Sequence, residues 1–270
     1  MRFGKFVKEI IRSPYYRRHP VEAVRFGYAK YLFARFRVSG PLDLMATLNI
    51  DPDAALAGMQ RWLPLLEVVA RKVQCEENQG GVSVEDGIVL YGLTRALRPH
   101  YVIETGVAAG VSTSFIGAAL IENGSGTLYS IEMPPQTTDP SLHLDGSTYE
   151  WSRRGVGWAI PEELRLLLSG HHILLLEDVR TALPTLLRDI GFVDLFFHDD
   201  LHLPYHMLWE YELVWKHLRP GGILLSDDAN FAWVEFCDKV GAGGDAFANM
   251  QRLAAMRKPF NEPGDVICAR

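Results

Sequence analysis

The run His198-Asp199-Asp200-Leu201-His202, with His206 four residues on and Asp227-Asp228 further along, gathers side chains that bind cations and move protons. If Asp199, Asp200, Asp227 and Asp228 converge, their four carboxylates repel unless water or a cation separates them. Oxygen-rich ligation with few protein groups is what Mg2+ or Ca2+ takes. His202 and His206 are spaced to share one helix face, and a histidine beside a metal-bound hydroxyl can act as general base. Asp199, His202 and His206 are therefore the candidate catalytic residues, and the four aspartates together could hold a cation. The alternative is that the aspartates cap helices and the histidines are partly buried and hydrogen-bonded.

A second set lies upstream, where Glu104-Thr105-Gly106 leads to Gly110 and then Ser112-Thr113. Two glycines four apart let a backbone turn sharply and approach a ligand, and Ser112-Thr113 can cap a following helix. The nicotinamide fingerprint is missing, because Ala108 and Thr113 stand where two of its glycines belong. Glu104, two positions before the first glycine, suits a cationic ligand better than a pyrophosphate. Glu132 stands where a strand-end carboxylate can accept from both hydroxyls of a ribose. Asp178-Val179 offers another carboxylate, placed either to read an adenine amino group or to cap a helix.

All these residues fall at the ends of predicted strands, the side on which open α/β sheets bind ligands. Apolar runs at 101–105, 127–132, 172–178, 193–199 and 221–228 read as strands, with helical patterns near 112–123, 161–169, 180–189 and 204–218. Strands buried on both faces with helices between them predict a doubly wound, mostly parallel α/β sheet. Residues 250–256 and 266–269 are candidates for a terminal antiparallel pair. Residues 1–80 look helical and are broken by prolines, with Pro64 predicting a kink within 54–73. Residues 79–83 read as a joint. Ser83 to Asp86 reads as a capping box for a helix running to about Leu97, stopped by Pro99. The chain thus divides into a helical extension, 1–80, serving as lid or oligomerisation element, and a domain at 81–270.

Composition narrows the function classes. Hydrophobic residues make up 48% and charged residues 22%, which excludes wholesale disorder. No apolar run approaches the ~18–20 residues needed to cross a bilayer, and the N-terminus lacks a secretory pattern. Three scattered cysteines fit neither a disulfide framework nor a zinc site, so the cytoplasm is expected. Charge is uneven: residues 1–40 carry +8 and the rest −14. Such a basic arm can meet an anionic membrane, nucleic acid, or an acidic patch on its own body or a partner subunit. No nucleic-acid-binding motif accompanies it, so no nucleic-acid partner is expected.

Taken in order, Glu-Thr-Gly-x-x-x-Gly-x-Ser after the first strand, an acid after the second, and Leu-Arg-Pro-Gly-Gly-x-Leu-Leu-x-Asp-Asp at the fifth resemble class I S-adenosylmethionine-dependent methyltransferases. The segment 196–228 is similar to the small-molecule O-methyltransferase branch with macrocin-type and catechol-type enzymes. The resemblance covers about residues 81–270 and implies a seven-stranded Rossmann-like sheet. It implies that Glu104, Thr105, Gly106, Gly110 and Ser112 line the methionine end of the cofactor, that Glu132 holds the ribose, and that Asp178 and Val179 hold the adenine. Asp199 would border the cofactor and, with Asp227-Asp228, ligate Mg2+ or another divalent cation. Where relatives carry an Asp-Asn pair this sequence has Asp227-Asp228, and where catechol-type enzymes carry a lysine base it has His202.

The expected activity is O-methylation of a small molecule, such as a sugar, a polyketide or a catechol-like compound, by a homo-oligomer. A nicotinamide-dependent oxidoreductase and a catalytically idle binding protein are rivals on the same fold.

Overall fold

The computed structural model describes residues 17–21, 23–25, 27–28, 38, 40–74, 81–134, 154–241, 247–250 and 253–260. Its strands are runs of apolar and β-branched residues: β1 (Tyr101–Thr105), β2 (Thr127–Glu132), β3 (His172–Leu176), β4 (Val193–His198), β5 (Leu218–Ser226), β6 (Phe247–Met250) and β7 (Leu253–Arg257). They form one seven-stranded sheet of order β3-β2-β1-β4-β5-β7-β6. β1 to β5 are mutually parallel, and β7 runs antiparallel between β5 and β6. Strand order reverses between β1 and β4, the crevice where such sheets bind ligands.

Alternation along the strands sends successive side chains to opposite layers. Val102, Leu195, Phe197, Ile223 and Leu225 face one core. Its helices are α1 (Pro41–Thr47), α2 (Pro52–Leu56), α3 (Leu63–Gln74), α4 (Val84–Leu97), α5 (Val111–Asn123) and α6 (Glu162–Leu168). Ile103, Phe196, Leu224 and Met256 face the other, built on α7 (Val179–Ile190), α8 (Pro204–His217) and α9 (Phe231–Lys239). Residues 41–74 thus join the main core through Leu44, Met45, Trp62, Leu66 and Val69. Farther upstream, the Arg25 guanidinium lies 5.9 Å from the Phe231 ring centroid, at the start of α9.

The capping box forms as read: Ser83 accepts from the Asp86 N–H, Asp86 accepts from the Ser83 N–H, and α4 ends at Leu97. Pro64 makes no kink. The helix breaks earlier, at Gly58 with φ +86°, and resumes at Leu63, so Pro64 occupies a first turn, where its missing N–H has no helical partner to lose. β5 begins three residues before the expected start, because a bulge between Val193 and Leu195 draws Leu218 into the ladder. β3 departs from the two-sided burial expected: as an edge strand it leaves Ile173, Leu174 and Leu176 exposed. The antiparallel pair is 247–250 with 253–257, and residues 266–269 lie outside the described residues.

Candidate active site

The glycine turn is fixed by two close approaches. Gly106 has φ +84°, and a Cβ there would stand 2.1 Å from the Asp199 carbonyl oxygen. Gly110 has φ +92° and no room for a Cβ against Ile160. Residues 157–160 lie over the turn, Gly157 N–H donating to Ala108 O at 2.8 Å and Ala159 N–H to Ala109 O at 3.0 Å. At the end of β2, Glu132 Oε2 accepts from the N–H groups of Val107 and Ala108 at 2.8 and 2.9 Å. Its Oε1 accepts from Met133 N–H. Glu104 Oε2 accepts from the hydroxyls of Thr113 and Ser130, both at 2.7 Å. Glu104 Oε1 is buried without a hydrogen bond. Burial pushes both carboxyls up, against the pull of the Ser112, Ser130 and Thr113 hydroxyls on Glu104 and of the loop N–H groups on Glu132.

Across the crevice, the ligand atoms of Asp199, His202 and Asp227 lie within 4.8 Å of one another. Burial holds the Asp199 carboxyl well above the usual carboxylate range, and the neighbouring Asp227 carboxylate adds to it. Two acids this close share a proton or need a cation. His202 Nε2 stands 3.7 Å from Asp199 Oδ1. Deeper, Asp200 meets His206 at 3.0 Å and His198 at 3.2 Å. Burial opposes its ionisation, but the His206 hydrogen bond and the His198 and His206 charges outweigh that and hold Asp200 down at about 2. Burial likewise works against a charged His206, yet Asp200 and Glu210 lift it to about 10.

Several candidates take other positions than their spacing suggested. His202 and His206 do not share a helix face, because α8 begins at Pro204; His202 turns to Asp199 and His206 turns inward to Asp200. Asp228, with φ +44°, is not in the group of three, and His202 stands in its place. Thr105 faces the second layer and donates to Glu210 Oε2 at 3.0 Å. Ser112 and Thr113 do not cap α5: its N-cap is Gly110, Thr113 serves Glu104, and Ser112 is buried. Asp178 is exposed and caps α7 by accepting from Arg180 N–H, with Val179 as the first helical residue. Sequence reasoning passed over Ser130, Glu210 and the 157–160 segment. The signal for Glu210 was its spacing of four from His206; for 157–160 it was the Gly155-Val-Gly157 pair.

Residues 103–229 match a family model described as a methyltransferase domain. No curated protein matches the chain. Among solved structures, the Podospora anserina methyltransferase PaMTH1, determined with SAH bound, is 14% identical over 72% of this chain and 87% of its own, with a TM-score of 0.50. The O-methyltransferase from Bacillus cereus in complex with SAH is 15% identical over 87% and 99%, with a TM-score of 0.47. The O-methyltransferase TomG from Streptomyces achromogenes, in complex with SAM, is 16% identical over 88% and 98%, with a TM-score of 0.44.

Proposed function

From the premise that residues 103–229 belong to the methyltransferase-domain family, we propose that the chain moves the methyl group of S-adenosylmethionine to a hydroxyl of a small molecule. The observation that carries this reading is the contact between Gly106 and the Asp199 carbonyl. It makes the glycine turn and the acid cluster adjacent walls of one crevice, so a ligand on the turn faces a group able to hold and deprotonate an acceptor.

The residues fit the donor. Glu104 offers a buried oxygen with no hydrogen bond, suited to the cationic methionine end beside Gly106, Gly110 and Ser112. Glu132, now held by loop N–H groups, would take the ribose, and Asp178 and Val179 the adenine. The close Asp199 and Asp227 carboxylates fit a divalent cation such as Mg2+. When bound, the donor supplies an electrophilic methyl group and the cation lowers the acceptor hydroxyl's pKa. The protein's own work is alignment and proton removal. Asp199 and Asp227 orient the acceptor, and His202, partly exposed beside Asp199, takes its proton. His206 is committed to Asp200 and Glu210 and does not reach the acceptor.

Residues 1–80 are proposed as a lid or oligomerisation element, with the Arg25–Phe231 contact as its docking point and a homo-oligomer as its setting. A cytoplasmic location rests on the cysteine pattern, with Cys237 free and buried. Thermal melting tests the reading directly. S-adenosylmethionine raises the melting temperature and NAD does not, because a ligand bound only by the native state stabilises it. A shift with NAD alone, or with neither, overturns it. Labelled methyl transfer to a panel of sugars, polyketides and catechols then distinguishes an enzyme from an idle binder.

A further inference from the structure

Beneath the outer acids, on the face of α7 to α9, lies a polar cluster that the proposed transfer does not use. His198 ends β4, Asp200 follows in the loop, and His206 and Glu210 lie one turn apart on α8. The ligand atoms of His198, Asp200 and Glu210 lie within 4.8 Å of one another, and His206 pairs with both carboxylates from the other side. His198 Nδ1 is 3.2 Å from Asp200 Oδ1 and 2.6 Å from Glu210 Oε2. His206 Nε2 is 3.0 Å from Asp200 Oδ2 and 3.5 Å from Glu210 Oε1. His198 and Glu210 are fully buried and His206 nearly so. Among the described residues, the ion-pair partners of Asp200 and Glu210 are histidines, with no lysine or arginine. Glu210 Oε1 is buried with no hydrogen bond.

We propose that His198, Asp200 and Glu210, whose ligand atoms lie within 4.8 Å of one another, form a second, buried cation site that takes a transition-metal ion of the Zn2+ class, distinct from the outer Asp199, His202 and Asp227. One imidazole nitrogen and two carboxylate oxygens, with a fourth position left for water, form a borderline donor set, which suits Zn2+ and its neighbours in the first transition row. A four-coordinate ion with bonds of about 2.0–2.1 Å holds neighbouring ligand atoms about 3.3 Å apart. His198 Nδ1 to Asp200 Oδ1, at 3.2 Å, already matches that. His198 to Glu210, at 2.6 Å, is a hydrogen bond, and its proton leaves when an ion enters. Mg2+ is a poor occupant, because it keeps waters and wants oxygens in octahedral array. Thr105, donating to Glu210 Oε2, is the outer partner that fixes the carboxylate's orientation. The ion would tie the end of β4 to α8 and so hold rigid the loop that carries Asp199 and His202.

The test uses the full chain, stripped with a strong chelator, dialysed, and reloaded with Zn2+ or Co2+ alone. The wild-type protein retains one equivalent through gel filtration. The Co2+ form gives the intense visible bands of a four-coordinate ion, and X-ray absorption of the Zn2+ form shows one imidazole ligand among oxygens. Glu210→Gln and His198→Asn lower the affinity by at least about tenfold, with circular dichroism checking that they fold, while Asp227→Asn and His202→Asn leave it unchanged. Retention of no ion overturns the proposal. So does an ion with no imidazole, or one lost in Asp227→Asn or His202→Asn and kept in Glu210→Gln, since that ion sits in the outer site. If the inner variants do not fold, retention of the ion by the Asp227→Asn and His202→Asn variants decides alone.

Discussion

The two sides of the crevice satisfy their acids differently. On the β1–β2 side, Glu104 and Glu132 accept from hydroxyls and backbone N–H groups, which are neutral. On the β4–β5 side, Asp199 faces Asp227, and Asp200 and Glu210 face histidines. A carboxylate held by neutral donors, with its pKa raised by burial, has no countercharge in place, so an incoming cationic ligand can supply it. Carboxylates held by one another or by imidazoles require a proton or a metal ion to complete them. The first arrangement suits a donor such as S-adenosylmethionine; in the second, the His206 proton completes Asp200, and the Asp199–Asp227 pair is left to a proton or a cation.

The strongest way to break this contrast is Glu132→Ala. Losing a charge-assisted pair of contacts costs about 2–3 kcal/mol, or roughly 30–150-fold in S-adenosylmethionine affinity by calorimetric titration. Val107 and Ala108 also lose their acceptor, so the melting temperature falls as well. Unchanged affinity would remove Glu132 from the donor site. Next comes Asp227→Asn on the opposite wall. Mg2+ affinity falls by about 10–100-fold or more, because even outer-shell partners of a metal are worth that much, and S-adenosylmethionine affinity stays. An equal loss of both would mean that the two walls do not act separately.

A pH series sharpens the comparison without a ligand. In chelated protein, His206 is held at about 10, above its unfolded value, so the native state binds the extra proton. The pair's stabilisation is full below about pH 6.5 and is lost as pH rises towards 10. Asp200, held at about 2, contributes above about pH 4 and loses its share as pH falls through 2. The melting temperature therefore declines on the alkaline side, and His206→Gln flattens that decline; an identical slope in the variant would disprove the pairing. The smallest expected effect is at Asp178. Removing this cap with Asp178→Ala costs about 1 kcal/mol, a fall of roughly 2–4 °C. A drop in S-adenosylmethionine affinity beyond that marks the adenine contact.

The parallel sheet was legible because its strands are short apolar runs between turn signals, and all five parallel ones overlap the indicated runs, with β5 starting three residues early. The strand-end acids were legible too, since in such a sheet the chain direction alone places them on the ligand side. What periodicity could not tell was which way a side chain turns past the last paired residue. Asp199 and Asp200 are adjacent, yet one faces Asp227 and the other His206. Thr105 and Glu104 diverge by strand alternation, so a motif read as one unit serves two layers. Residues 157–160 escaped notice because their hold on the turn is made by backbone groups, which leave little trace in side-chain pattern.

The packing of Gly106 against the Asp199 carbonyl has a consequence for the order in which ligands arrive. With no space between them, a guest that displaces the turn also displaces the backbone of the residue opposite. Each guest then reports its presence to the other as a change in affinity, and linkage makes the two changes equal in size. A guest that moves neither backbone leaves the two walls independent, and one that moves either couples them through a contact in which neither guest takes part.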